Sequence, residues 1–191
     1  MTLGNRSMER GRELDRLETE ICVIAAQDAD AAAFRRLVEL YERRLLYFIR
    51  RISGDGDWAL DVLQDVWVTV FQRLNTLRSP AAFKTWVYQI AHDKAIDLIR
   101  RQHRESELVL AMEPEIETDN ANEAFENAEL VHRALEGLSL AHREVLTLRF
   151  LEDLEISEIA NVIRCSVGTA KSRLHYAKKA LGRKLEEFSN G

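Results

Sequence analysis

The sequence predicts an all-α fold of two small helical modules joined by an acidic flexible linker. Three observations carry this. Gly (8) and Pro (2) are scarce among 191 residues, so the chain has few built-in breaks. Apolar residues recur at spacings of three and four over long stretches, the period of one helix face. Residues 105–129 hold nine acidic side chains and no Lys or Arg, together with Pro114 and the polar run Thr118-Asp119-Asn120. Such a block buries too little apolar surface to offset the entropy of ordering it. The expected division is an N-terminal extension over 1–19, a first module over 20–104, a linker over 105–124 and a second module over 125–191.

Composition narrows the class further. With 46% apolar and 31% charged residues, the chain suits a soluble protein with a core. Uncharged runs reach only about seven or eight residues, far below the roughly 20 that span a bilayer. The first twenty residues mix Arg and Glu without the apolar segment of a secretory leader. A cytoplasmic protein without membrane insertion is expected. Cys22 and Cys165 are too few and too far apart for a disulfide framework, and Cys165 reads as a small apolar filler. His92, His103, His132, His142 and His175 have no metal-ligand spacing. No cofactor, metal or catalytic residue is expected, and no enzymatic activity.

In chain order, residues 1–13 are polar and expected to fray, with a short helix from about Leu14 to Gln27. Asp28 or Asp30 can cap the next helix, whose stripe is Phe34, Leu37, Val38, Tyr41, Leu45, Phe48, Ile49 and Ile52. Gly54-Asp55-Gly56 ends it. A third helix has Ala59, Val62, Leu63, Val66, Trp67, Val70, Phe71 and Leu74 inward, with Asp57, Asp61, Gln64, Asp65 and Gln72 opposite. After the loop Asn75–Ser79, Ser79 and Pro80 suit the cap and first turn of a fourth helix. That helix buries Phe83, Trp86, Val87, Ile90, Ala91 and Leu98 and ends in Arg100-Arg101-Gln102-His103-Arg104. Beyond the linker, helices are expected at about 124–137, 140–151, 155–163 and 167–187.

The net charge of −5 looks wrong for a nucleic-acid binder, but the average misleads. Outside the acidic block the chain has 27 basic against 23 acidic side chains, and residues 164–184 hold seven basic side chains and no acid. Within 155–184, a short helix with Ile156, Ile159, Ala160 and Ile163 inward is followed by Arg164-Cys165-Ser166 and a longer helix from Val167. This is the layout of a helix-turn-helix. Ser166 suits an N-cap, and Val167, Ala170, Leu174, Ala177 and Leu181 form the inward stripe. Gly168, Thr169, Lys171, Ser172, Arg173, His175, Lys178 and Lys179 lie on the other face. Gly168 permits close approach of a phosphate, Lys and Arg can donate to guanine edges, and Lys178, Lys179 and Arg183 suit the backbone. A basic stripe is also what an ordinary solvated helix face looks like.

These segments together resemble the extracytoplasmic-function (ECF) sigma factors, group IV of the bacterial sigma-70 family. FRRLVELYERRLLYFIRRISGD resembles their region 2.1, WALDVLQDVWVTVFQRL region 2.2, and FKTWVYQIAHDKAIDLIRRQHR regions 2.3 and 2.4. AHREVLTLRFLEDLEISEIANVIRCSVGTAKSRLHYAKKAL resembles region four. The likeness covers about residues 20–104 and 125–188.

The resemblance implies a dissociable subunit of RNA polymerase, docked on the core enzyme through the β′ clamp coiled coil and the β flap. It would read promoter DNA and be restrained by an anti-sigma factor. Asp61, Gln64 and Asp65 match the surface that meets the clamp. Asn75, Thr76, Arg78, Ser79, Lys84, Asp93, Lys94, Asp97, Arg100 and Arg101 match the element that reads and melts the −10 region, with Arg104 as a further phosphate partner and Trp86 and Phe83 as aromatic candidates. Core packing is the favoured role for Trp86. Ser166, Gly168, Thr169, Lys171, Ser172, Arg173, His175, Lys178 and Lys179 match the −35 reader. Asp93 stands where members often carry Asn; an ionised carboxylate only accepts, so the −10 preference departs from the usual pattern. Leu138-Ser139-Leu140 replaces the common Leu-Pro-Pro. The competing classes are a helix-turn-helix regulator that is not a polymerase subunit, and a helical protein-interaction module.

Overall fold

The computed structural model describes residues 3–53, 58–108 and 133–189, and within them every regular element is helical. The helices are α1 (Leu3–Gln27), α2 (Ala31–Ser53), α3 (Trp58–Arg73), α4 (Phe83–Leu108), α5 (Leu140–Leu146), α6 (Ile156–Val162) and α7 (Val167–Ser189). Residues 133–136 are also helical. The linker beyond Leu108, Gly54-Asp55-Gly56 and the first part of the helix expected over 124–137 lie outside the described residues.

Local chemistry explains most boundaries. Asp30 caps α2, its Oδ1 accepting from the amides of Ala32 (2.8 Å) and Ala33 (3.1 Å). A 3₁₀ turn at Leu74–Thr76 ends α3, and another at Pro80–Ala82 leads into α4. Pro80 sits in that turn as expected, but the Ser79 hydroxyl makes no capping bond. Glu155 and Glu158 form a capping box at the start of α6, with the Glu155 amide 2.7 Å from Glu158 Oε2.

Three expected boundaries move. The first helix begins at Leu3 rather than near Leu14, and α4 continues through Leu108 past the basic run. The helix expected over 140–151 is α5 followed by a π-helical turn, Thr147–Leu151. The wider turn, closed by the Glu152 amide on the Thr147 carbonyl (3.2 Å), keeps Leu148, Glu152 and Leu154 all buried.

In the first module, α1, α2, α3 and α4 bury Val23, Leu37, Leu45, Phe48, Ile49, Val66, Val70, Phe83 and Tyr88 completely. Edge-on aromatic pairs, Phe48–Tyr88 (5.2 Å) and Tyr41–Phe83 (5.3 Å), lock this packing. Val145, Leu148, Leu154, Ile159, Val162, Ala170 and Ala177 do the same for the second. The two sets belong to one continuous core, with α2 and α4 packed against α5, α6 and the π turn. Two stripe residues face outward instead. Phe71 is 72% exposed and meets Phe34 only edge-on, and Val167, at the first turn of α7, is 50% exposed.

Candidate nucleic-acid interface

The helix-turn-helix consists of α6, a turn at Ile163–Ser166, and α7. Ile159, Ala160, Ala170 and Ala177 are buried, and the small alanines suit a close approach of neighbouring helices. Ser166 caps α7: its Oγ accepts from the Thr169 amide at 3.0 Å and lies 2.8 Å from Thr169 Oγ1. The Ser172 hydroxyl bonds the Thr169 carbonyl at 3.0 Å. Three of the expected DNA-facing hydroxyls are therefore engaged locally and shape the helix start.

The outward face is left to Gly168, Lys171, Ser172, His175, Lys178 and Lys179, all exposed, with Arg173 half-buried at its edge. His175 packs edge-on against Tyr176 at 5.4 Å. A Cβ at Gly168 would meet only Ser166 Oγ, at an ordinary 3.7 Å, so nothing inside the protein demands glycine there. The open space lies at the amino end of a 23-residue helix, where amides and macrodipole favour an anion.

In the first module, Asp61, Gln64 and Asp65 project together from the solvent face of α3. Asp65 Oδ2 is 4.0 Å from Lys94 Nζ, which sets this face beside α4. Asn75, Thr76, Arg78 and Ser79 are exposed in the loop that precedes α4. That loop is tied down from behind by Gln27, whose Nε2 donates to the carbonyls of Leu74 (2.9 Å) and Leu77 (2.8 Å). Asp97, Arg100 and Arg101 are exposed further along α4, with Asp97 3.6 Å from Arg100. Phe83 is fully buried, so it cannot stack on a base; Trp86 is partly buried against the core beside it.

Lys84 and Asp93 are not free for DNA in this arrangement. The Lys84 ammonium donates to the Glu152 carbonyl, and burial, aided by the nearby Arg44 cation, pushes it below the usual lysine range. Thr85 Oγ1 donates to Glu158 at 3.0 Å, and Gln89 Nε2 to the Asn161 carbonyl at 3.4 Å. The Asp93 carboxylate receives both arms of Arg164, Nε at 3.0 Å and Nη2 at 2.5 Å. Deeper in the same contact, His92 Nε2 lies 3.2 Å from Glu144 Oε1, both residues buried. Arg44 reaches buried Glu152 at 2.9 Å, and Arg51 reaches Glu136 at 3.0 Å.

The residues joining the modules carried little sequence signal. Glu144 and Glu152 look like exposed helix acids in a charged stretch. Only Arg164 offers a clue, because helix-turn-helix corners favour Gly or Asn and its φ is 51°.

Among the described residues no group of three or more His, Cys, Asp or Glu could hold a metal ion, and no helix is long and apolar enough to cross a membrane.

An α-helical first module with an exposed acidic and amide face, packed on a helix-turn-helix with a basic outer face, defines a class of two-module helical proteins. Comparison with known proteins narrows it. Residues 37–105 match the model for sigma-70 region 2, and residues 128–181 that for sigma-70 region 4. The chain is similar to the ECF RNA polymerase sigma-E factor of Escherichia coli, 31% identical over 90% of this chain and 96% of that one. It is also similar to the RNA polymerase sigma-H factor of Pseudomonas aeruginosa, 32% identical over 84% and 90% of the two chains. The protein belongs to the ECF sigma factors of the sigma-70 family. Two solved structures share the fold at 23% identity. One is CnrH in complex with the cytosolic domain of CnrY (TM-score 0.64, covering 89% of this chain and 98% of that one). The other is the sigma factor RpoE in complex with the anti-sigma factor NepR from Bartonella quintana (TM-score 0.67, 80% and 96%).

Proposed function

We propose that this ECF sigma factor binds RNA polymerase core, reads −35 DNA with α7 and opens −10 DNA with α4 and its preceding loop. The single observation that carries this is the co-presentation of two surfaces: the acidic and amide face of α3 (Asp61, Gln64, Asp65), and the exposed cationic face of α7. The first suits charge-assisted bonds to arginines of the β′ clamp coiled coil, the second the phosphates and base edges of a major groove. Region four would also meet the β flap, and an anti-sigma factor would cover both modules. The protein would work in the cytoplasm, where polymerase is, without covalent chemistry of its own.

Run-off transcription with core polymerase and genomic fragments tests this. New start sites are expected only when the protein is added. Lys171→Ala with Arg173→Ala is expected to remove −35-dependent initiation and leave co-migration with core intact. Absence of both start sites and co-migration would overturn the assignment.

A further inference from the structure

We infer that the outer face of α1 is a self-association surface, on which the same face of a second copy of this chain docks antiparallel. The helix is apolar on two opposite sides. Thr19, Cys22 and Val23 are buried on its inner side, with Ala26 packed against the core beside them. Leu14, Leu17, Ile21 and Ile24 lie on the opposite side, spaced by three and four, and are between 46% and 66% exposed. A surface helix normally carries one apolar stripe and a polar back. Here the back is a second stripe two heptads long, the kind of seam by which helices pair. Scattered exposed leucines are ordinary, but a contiguous row of them marks an interaction site.

The ends of the row identify the occupant. Arg10 precedes Leu14 by four residues and Asp28 follows Ile24 by four, so both continue the seam, and both are exposed. The Asp28 amide still bonds the Ile24 carbonyl at 3.2 Å, which keeps Asp28 on the helical path. The row therefore reads cation, Leu, Leu, Ile, Ile, anion, over about 27 Å. Turned end for end, it is its own complement. Arg10 meets Asp28 of the second copy, Leu14 meets Ile24 and Leu17 meets Ile21, each pair repeated about one two-fold axis. Parallel pairing would instead set Arg10 on Arg10 and Asp28 on Asp28. Glu18 and Glu20, which flank the centre of the row, are already paired within the chain, Glu18 with Arg36 at 2.7 Å and Glu20 with Arg16 at 3.0 Å, and this lessens their repulsion across the axis.

Pairing would bury on the order of 1,000 Å² in all, the lower edge of specific interfaces, which fits a reversible dimer. Asp61, Gln64 and Asp65 on α3 and Lys171 on α7 belong to other helices and take no part in it.

Sedimentation velocity on the full chain in low salt, from about 1 μM to about 200 μM, tests this. The mass should rise from 22.0 kDa toward twice that value. Leu17→Gln with Ile21→Gln should weaken association about tenfold or more. Helix content and thermal midpoint should not change, because both side chains face away from the core. Arg10→Glu and Asp28→Arg should each weaken association about threefold, and the two together should restore it. A chain that stays at 22.0 kDa throughout would overturn the proposal, as would a dimer untouched by Leu17→Gln with Ile21→Gln. A dimer indifferent to the charge variants would overturn the antiparallel register. A monomer that needs Leu17 and Ile21 to co-migrate with polymerase core would give the face to polymerase and overturn the second copy as its occupant. Sedimentation uses neither polymerase nor DNA, so its failure is distinct from failure in run-off transcription.

Discussion

Glu152 lies buried 2.9 Å from the Arg44 guanidinium, an acid from the second module seated against α2 of the first. Its own backbone carbonyl accepts from the Lys84 ammonium, so one residue of the second module engages two neighbouring cations of the first. Glu152→Ala takes the carboxylate from Arg44, while the backbone carbonyl that receives Lys84 remains. Arg44 is partly exposed and can re-solvate, which limits the cost to about 2 kcal/mol. Urea unfolding should report a lower midpoint of that size, and Glu152→Gln, which keeps the shape, should lose roughly half as much.

The individual helices were legible in the sequence because their faces repeat with the helix period. The α2 stripe from Leu37 to Ile52 and the caps at Asp30 and Ser166 are where the spacing and side-chain chemistry put them. The π turn at Thr147–Leu151 was not legible, since it arises from the need to bury Leu148, Glu152 and Leu154 together. Phe71 and Val167 fit an inward periodicity, but each sits at the edge of its stripe and meets no neighbour deep enough to cover it. The packing of one module on the other depends on pairs 52 to 108 residues apart, from His92–Glu144 to Arg44–Glu152. No local pattern encodes such pairs. The cationic outer face of α7 was legible as charge, but the hydroxyls beside it at Ser166, Thr169 and Ser172 serve the helix start.

Ser166 and Gly168, two residues apart, should separate helix stability from DNA contact. Ser166→Ala removes the oxygen that accepts from the Thr169 amide and should lower thermal stability by about 1 kcal/mol. Any loss of −35 binding should then track the loss of helix.

Gly168→Ala should do the reverse. The added methyl meets nothing closer than 3.7 Å, and alanine favours the helix, so stability should hold or rise by up to about 1 kcal/mol. Binding to a −35-bearing duplex should nonetheless fall, because the methyl stands where a phosphate would approach. Calorimetry and fluorescence anisotropy on the same preparation check the two expectations together.

Alkaline pH should loosen the first module through two tyrosines. Burial pushes the Tyr88 hydroxyl well above the usual tyrosine range, and the Glu152 carboxylate adds to it. Burial also raises Tyr41, against a smaller opposing effect from its contact with Thr19. Both groups hold their protons more tightly folded than unfolded. Their contribution is therefore complete below pH 10 and is lost as pH rises through the folded values. Denaturation midpoints between about pH 9 and pH 12 should fall steadily, and an ultraviolet titration should show a late phenolate step coincident with unfolding. Tyr88→Phe, which keeps the ring against Phe48, should remove part of that late step and make the alkaline decline shallower. An unchanged slope would mean that Tyr88 ionises without sensing the fold.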